Sequence, residues 1–117
     1  MDIPTLNILA VGRDRAILEV VQRLINSHEL WAATVVITDE EAIAAFTRQR
    51  CPIVFVCAGV TTEEEQALRQ RLSELDPSVT VIRHFGGGSG LLENEVRAIL
   101  DHRGIHLRKA ETNQEKN

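Results

Sequence analysis

The chain has 117 residues, of which 44% are hydrophobic and 26% charged, and its 13 Lys and Arg against 17 Asp and Glu give a formal charge of −4. That length and balance fit one globular domain with one core, and the mild acidity argues against a nucleic-acid binder. No apolar run is long enough to cross a membrane, and the Met1–Thr5 start lacks the basic residues and long apolar stretch of a signal peptide, so a cytoplasmic protein is expected.

Leu6–Val11 is a short apolar run stopped by Gly12 and reads as a buried strand. From Ala16 the apolar residues Ile17, Leu18, Val20, Val21, Leu24 and Ile25 recur at three and four, which predicts a helix with one buried face and Asp14 as its cap. Trp31–Ile37 reads as a second strand, and Thr38 with Glu41 three residues on forms a capping box for a helix that turns Ala42, Ile43 and Phe46 inward. Pro52–Cys57 is unbroken apolar sequence, as expected of a central parallel strand buried on both faces. Thr62 and Glu65 suggest a second capping box, opening a helix that buries Leu68, Leu72 and Leu75 and stops before Asp76-Pro77. Val79–Phe85 is a fourth strand, and Leu91, Leu92, Val96, Ile99 and Leu100 mark a fourth helix stopped at Gly104.

Strand and helix alternate, so the chain is expected to be an α/β protein: a doubly wound parallel sheet with right-handed crossovers and helices on both faces. Residues 105–107 could supply a short fifth strand. The domain is expected to span residues 1–109, with 110–117 a polar, disordered tail. Cys51 and Cys57, if on one strand, lie about 20 Å apart and cannot bridge, which fits a reducing compartment.

The fourth strand runs into Gly86, Gly87, Gly88, Ser89 and Gly90 just before a helix. Glycines permit a tight turn and close backbone approach, and a helix start aims unpaired N–H groups at one point, which suits an anion. A phosphate or nucleotide ligand is one reading of this loop. A bare strand-to-helix turn is another, and a flat backbone surface for a protein partner is a third. The segment is neither a P-loop, which needs a lysine before Ser or Thr, nor the dinucleotide fingerprint, whose spacing differs.

The order and lengths of the elements over residues 5–109 resemble the receiver domain of bacterial two-component response regulators. Asn7–Val11 with Gly12-Arg13-Asp14-Arg15 resembles the first strand, acidic pair and opening helix of that family; Pro52–Cys57 resembles the strand ending in the phospho-accepting aspartate; Gly104–Lys109 resembles the last strand with its lysine. The resemblance implies strand order 2-1-3-4, or 2-1-3-4-5 with the short fifth strand. It also places Gly12 and Arg13 on the acidic-pair positions, Cys57 on the phospho-acceptor and His84 or Phe85 on the threonine or serine that ends strand four. A hard cation needs carboxylate oxygens and is repelled by an arginine, so no Mg²⁺, no other metal, no cofactor and no aspartyl phosphate are expected. The family's fifth helix has no counterpart, which would leave apolar surface for a partner.

In a doubly wound sheet, ligands sit beyond the C-terminal strand ends near the point where strand order reverses. Gly12–Arg15, Cys57–Thr62 and His84–Gly90 are expected on that rim. Arg13 either binds an anion or, preferably, locks the rim in place of a metal; His84 is a ligand or acid–base group, or a strand-end histidine bonded to backbone. Cys57 reads first as a small buried hydrophobe and second as a thiol nucleophile.

The leading expectation is a non-enzymatic, non-phosphorylatable signalling module that acts on a protein partner. A homodimer through the apolar face of the fourth helix is also expected. The alternative is a small-ligand sensor binding phosphate or a nucleotide at the Gly-rich loop through Gly86–Gly90, Arg13 and His84. Neither a nucleic acid nor a membrane is expected as partner.

Overall fold

The computed structural model describes residues 2–84 and 89–107. In chain order the elements are β1 (Asp2–Ile3), β2 (Leu6–Val11), α1 (Arg15–Asn26), β3 (Trp31–Val36), α2 (Asp39–Arg48), β4 (Ile53–Val56), α3 (Thr62–Leu75), β5 (Thr80–Arg83), α4 (Ser89–Arg103) and β6 (His106–Leu107). The four longer strands form one parallel sheet in the order β3-β2-β4-β5, which is 2-1-3-4 when they are counted from the N-terminus.

The direction of each crossover decides the layers. From β2 to β3 the chain moves one way across the sheet, and from β3 to β4 to β5 it moves the other. Crossovers of a single hand must therefore put α1 on one face and α2 and α3 on the opposite face. The packing follows that division. Leu18, Val21 and Ile25 of α1 cover Ile8, Ala10, Ile53 and Phe55, whereas Ala42 and Phe46 of α2 and Leu68 and Leu72 of α3 cover Leu9, Val11, Val54 and Val56. Ile8–Val11 of β2 and Ile53–Val56 of β4 are buried on both faces and apolar at successive positions, as expected of central strands.

Helix α4 shares the α1 face: Leu92, Val96 and Ile99 join the α1 cluster, and Leu100 packs partly buried against it. The chain thus turns back under the sheet after β5. Residues 106–107 do form a strand, but not as a fifth member of the main sheet. They pair in parallel with β1, Asp2 against His106 and Ile3 against Leu107, as a separate two-stranded sheet. Among the described residues β5 is the outermost strand on its side. Leu92, Val96 and Ile99 are thus the part of the α4 face that covers the sheet.

Helix starts follow side-chain chemistry. Asp14 accepts from the Ile17 amide at 3.1 Å, and Thr38 and Glu41 form the expected reciprocal box. The second box is shifted by one residue: Thr61, not Thr62, accepts from the Glu64 amide at 3.1 Å, and Glu64 returns to the Thr61 amide at 3.0 Å. Two threonines before three glutamates satisfy the spacing either way, and the extended backbone at Thr61 makes it the cap. Gly104 ends α4 at φ +66°, a conformation that favours glycine. Leu75, expected inside, is 42% exposed in the last turn of α3. Among the described residues no helix is long and apolar enough to cross a membrane.

Candidate functional site

The rim at the C-terminal ends of the strands is built by backbone first. The Cys57 amide donates to the Val11 carbonyl at 2.7 Å, the His84 amide to Val56 at 2.9 Å, the Gly12 amide to Val36 at 3.2 Å and the Arg13 amide to Ala58 at 2.8 Å. These bonds extend the sheet ladder by one residue and place Gly12, Arg13, Cys57 and His84 along one edge.

Gly12 and Cys57 leave each other no room. A Cβ on Gly12 would stand 3.0 Å from the Cys57 Cβ and 3.3 Å from both the Ala58 carbonyl oxygen and a Leu18 methyl. Cys57 is buried in the α1–α4 core with Phe55 and Leu92, and burial pushes its thiol up to about 11 despite the nearby Arg83. A neutral, buried thiol of this kind packs as a small hydrophobe. Cys51 is also free and buried, and burial raises its thiol to about 11.

Arg13 crosses Gly59 to reach the opposite helix layer. Gly59 has φ +93°, and a Cβ there would lie 2.6 Å from the Arg13 Cβ, so both backbone and space require glycine. Beyond Gly59 the guanidinium donates to the Ile37 carbonyl and to Asp39 at 2.9 Å, and it pairs with Glu64 at 3.3 Å. Burial works against its charge, but the hydrogen bond to Asp39 and the charges of Asp39 and Glu64 hold it above its ordinary value. Glu64 in turn is held below its ordinary value by the Thr61 amide and by Arg13. Arg13 thereby joins the first residues after β2, the start of α2 and the start of α3.

A second cluster on the same layer was not legible as a unit in the sequence. Glu65 takes Arg69 at 2.8 Å and Arg83 at 2.8 Å, Arg83 also donates to the Val60 carbonyl at 2.7 Å, and Arg69 donates to the Val81 carbonyl at 2.6 Å. Hydrogen bonding from Arg69 and Arg83 holds Glu65 below its ordinary value. The spacing of Glu65 and Arg69 is a helix i, i+4 pair that a sequence shows. Arg83, eighteen residues on, carries no such signal.

His84 faces the other layer. Its ring is buried, its Nδ1 lies 3.1 Å from Glu95 Oε1 of α4, and it meets Phe55 edge-on with 5.6 Å between ring centres. Arg13 and His84 therefore share a rim but engage opposite layers, and each is already against a carboxylate. That pairing reduces what either contributes to an anion. Gly86, Gly87 and Gly88 lie outside the described residues; Ser89 and Gly90 open α4. The side chains present do not fit a hard divalent cation: glycine and arginine stand where the resemblance requires acids, the thiol where it requires a carboxylate is neutral, and Asp39, Glu64 and Glu65 hold arginines.

No protein-family model matches the chain, and no curated protein does. Solved structures do. A two component transcriptional regulator AraC from Clostridium phytofermentans superposes with a TM-score of 0.65 at 15% identity, covering 86% of this chain and 98% of that one. A response regulator receiver domain protein from Clostridium thermocellum gives 0.57 at 19% identity, covering 92% and 84%. The chemotaxis protein CheY4 of Vibrio cholerae gives 0.57 at 15% identity, covering 93% and 89%. The 2-1-3-4 sheet with α1 on one face and α2 and α3 on the other is the fold of response-regulator receiver domains.

Proposed function

We propose that this protein is a receiver-like signalling module that takes no phosphoryl group, has no enzymatic activity of its own and works through protein–protein contact. The observation that carries the reading is the packing of Gly12 against a buried, neutral Cys57 at the positions where a receiver needs its acids. A receiver-type transfer to a carboxylate uses a charge-stabilising cation and an ionised acceptor. This rim offers a thiol whose ordinary value of 9.0 is raised to about 11. Arg13 supports the reading in a second way, because its pairs with Asp39 and Glu64 tie α2 and α3 to the rim without a metal.

The test is incubation of the protein with radiolabelled acetyl phosphate and Mg²⁺, alongside thermal unfolding with and without both. Absence of label and an unchanged Tm is the expected result. Covalent label that survives washing at neutral pH and is released by hydroxylamine, or a Tm rise that needs both reagents, overturns the reading.

A further inference from the structure

We propose that the groove along α1 that ends at His84 binds a small amphipathic amine. The groove has a volume of about 370 Å³ and is lined by Asp14, Ala16, Ile17, Val20, Leu24 and His84, with Val21 at its base. That volume lies within the range of small-molecule sites, about 300–1,000 Å³. Ile17 and Val20 are 38% and 46% exposed, so the helix presents an apolar wall to solvent that its own core does not use.

The polar groups of the groove select the ligand's charge. The His84 side chain is only 3% exposed. Its Nδ1 is against Glu95, whose carboxylate accepts, so in the tautomer with its hydrogen on Nδ1 the Nε2 lone pair is left as an acceptor. Nε2 has no hydrogen-bond partner among the described residues. Asp14 adds a carboxylate at the groove, one oxygen of which accepts from the Ile17 amide. No Lys or Arg is among the described lining residues. Two acceptors, one of them anionic, at the end of an apolar wall complement an ammonium on an apolar body and oppose a carboxylate or phosphate. The proposal goes beyond the loss of phosphorylation, because it assigns the module a chemical input at a groove that includes neither Gly12 nor Cys57, and either can fail without the other.

The test is an NMR titration of the full chain with 2-phenylethylamine, with phenylacetate as the charge-reversed control. Saturable shifts of the Ile17, Val20 and Leu24 methyls and of the His84 ring, with a Kd on the order of millimolar, are expected for so small a probe. Phenylacetate should bind about tenfold more weakly. Asp14→Asn keeps a competent helix cap while removing the charge, so it should fold and weaken the amine about threefold. Val20→Arg, at an exposed position, should fold and abolish saturable binding. Shifts that do not saturate, phenylacetate binding as tightly as the amine, or an Asp14→Asn variant of unchanged affinity would each overturn the assignment.

Discussion

Gly12 and Cys57 follow the adjacent strands β2 and β4 and face each other so closely that a methyl group added at Gly12 would bring the two Cβ atoms to 3.0 Å. The departure from a phospho-accepting rim is therefore built into the packing as well as into the residue types. Gly12→Asp is expected to lower stability by about 3 kcal/mol, since it both overpacks the site and brings a carboxylate against buried apolar groups. Urea unfolding measures the loss. A variant as stable as the parent that also binds Mg²⁺ would show the rim to be far more adaptable than its packing implies.

The two cysteines provide a chemical test of the same packing. Both thiols are raised from 9.0 to about 11 by burial, a change of about a hundredfold in thiolate at neutral pH. Alkylation by iodoacetamide at pH 7.5 should be at least about a hundredfold slower in the native protein than in urea. Rapid native labelling at Cys57 would revive its reading as a nucleophile.

Gly59 and Gly104 both have positive φ, yet a side chain costs differently at each. At Gly104 a Cβ meets nothing within 4 Å, whereas at Gly59 it would lie 2.6 Å from Arg13. Gly104→Ala should cost about 1 kcal/mol, from backbone strain alone. Gly59→Ala should cost about 3 kcal/mol, because Arg13 must also move away from Asp39 and Glu64. Denaturant midpoints of the two variants, compared at equal m-values, decide the order.

Glu65 links stability to acid. Its hydrogen bonds from Arg69 and Arg83 hold it below 4.5, so its contribution is fully present above that pH and is lost as pH falls through the folded-state value. Glu65→Gln should lower stability at pH 7 by about 1 kcal/mol, a modest figure because Arg69 is partly exposed to solvent, and should flatten the decline below pH 4.5. Thermal unfolding between pH 3 and 7 at low and high salt checks both effects.

Helix α4 tests the turn back beneath the sheet. Leu92 is fully buried among α1 and sheet residues, so Leu92→Ala should cost about 2–5 kcal/mol. If α4 instead used this face to hold a second copy, the variant would dissociate a dimer rather than destabilise a folded chain. Sedimentation and urea unfolding at several protein concentrations separate the two.

The candidate site was readable in its parts and unreadable in its pairings. Arg13, Cys57 and His84 could be placed on one rim, because each lies at the C-terminal end of an apolar run that reads as a strand of the parallel sheet. What each touches could not be read. Glu64 and Asp39 for Arg13, Glu65 for Arg83 and Glu95 for His84 come from other elements, from 11 residues away for Glu95 with His84 to 51 for Glu64 with Arg13, and the layers alone bring them together. With Thr61 as the cap, Glu64 both closes the capping box and pairs with Arg13, and Glu65 takes Arg69 and Arg83.

The sequence by itself determined where the four longer strands and the four helices form, that Pro52–Cys57 is central, and where most helices start and stop. Those features depend on periodicity and on residues within about four positions of each other, and their chemistry is local. Only the tertiary structure decided that α4 returns to the α1 face, that residues 106–107 pair with β1 outside the main sheet, and that Arg13 and His84 serve opposite layers. Those outcomes depend on the direction in which the chain crosses the sheet after each strand, and no short window of sequence contains that direction.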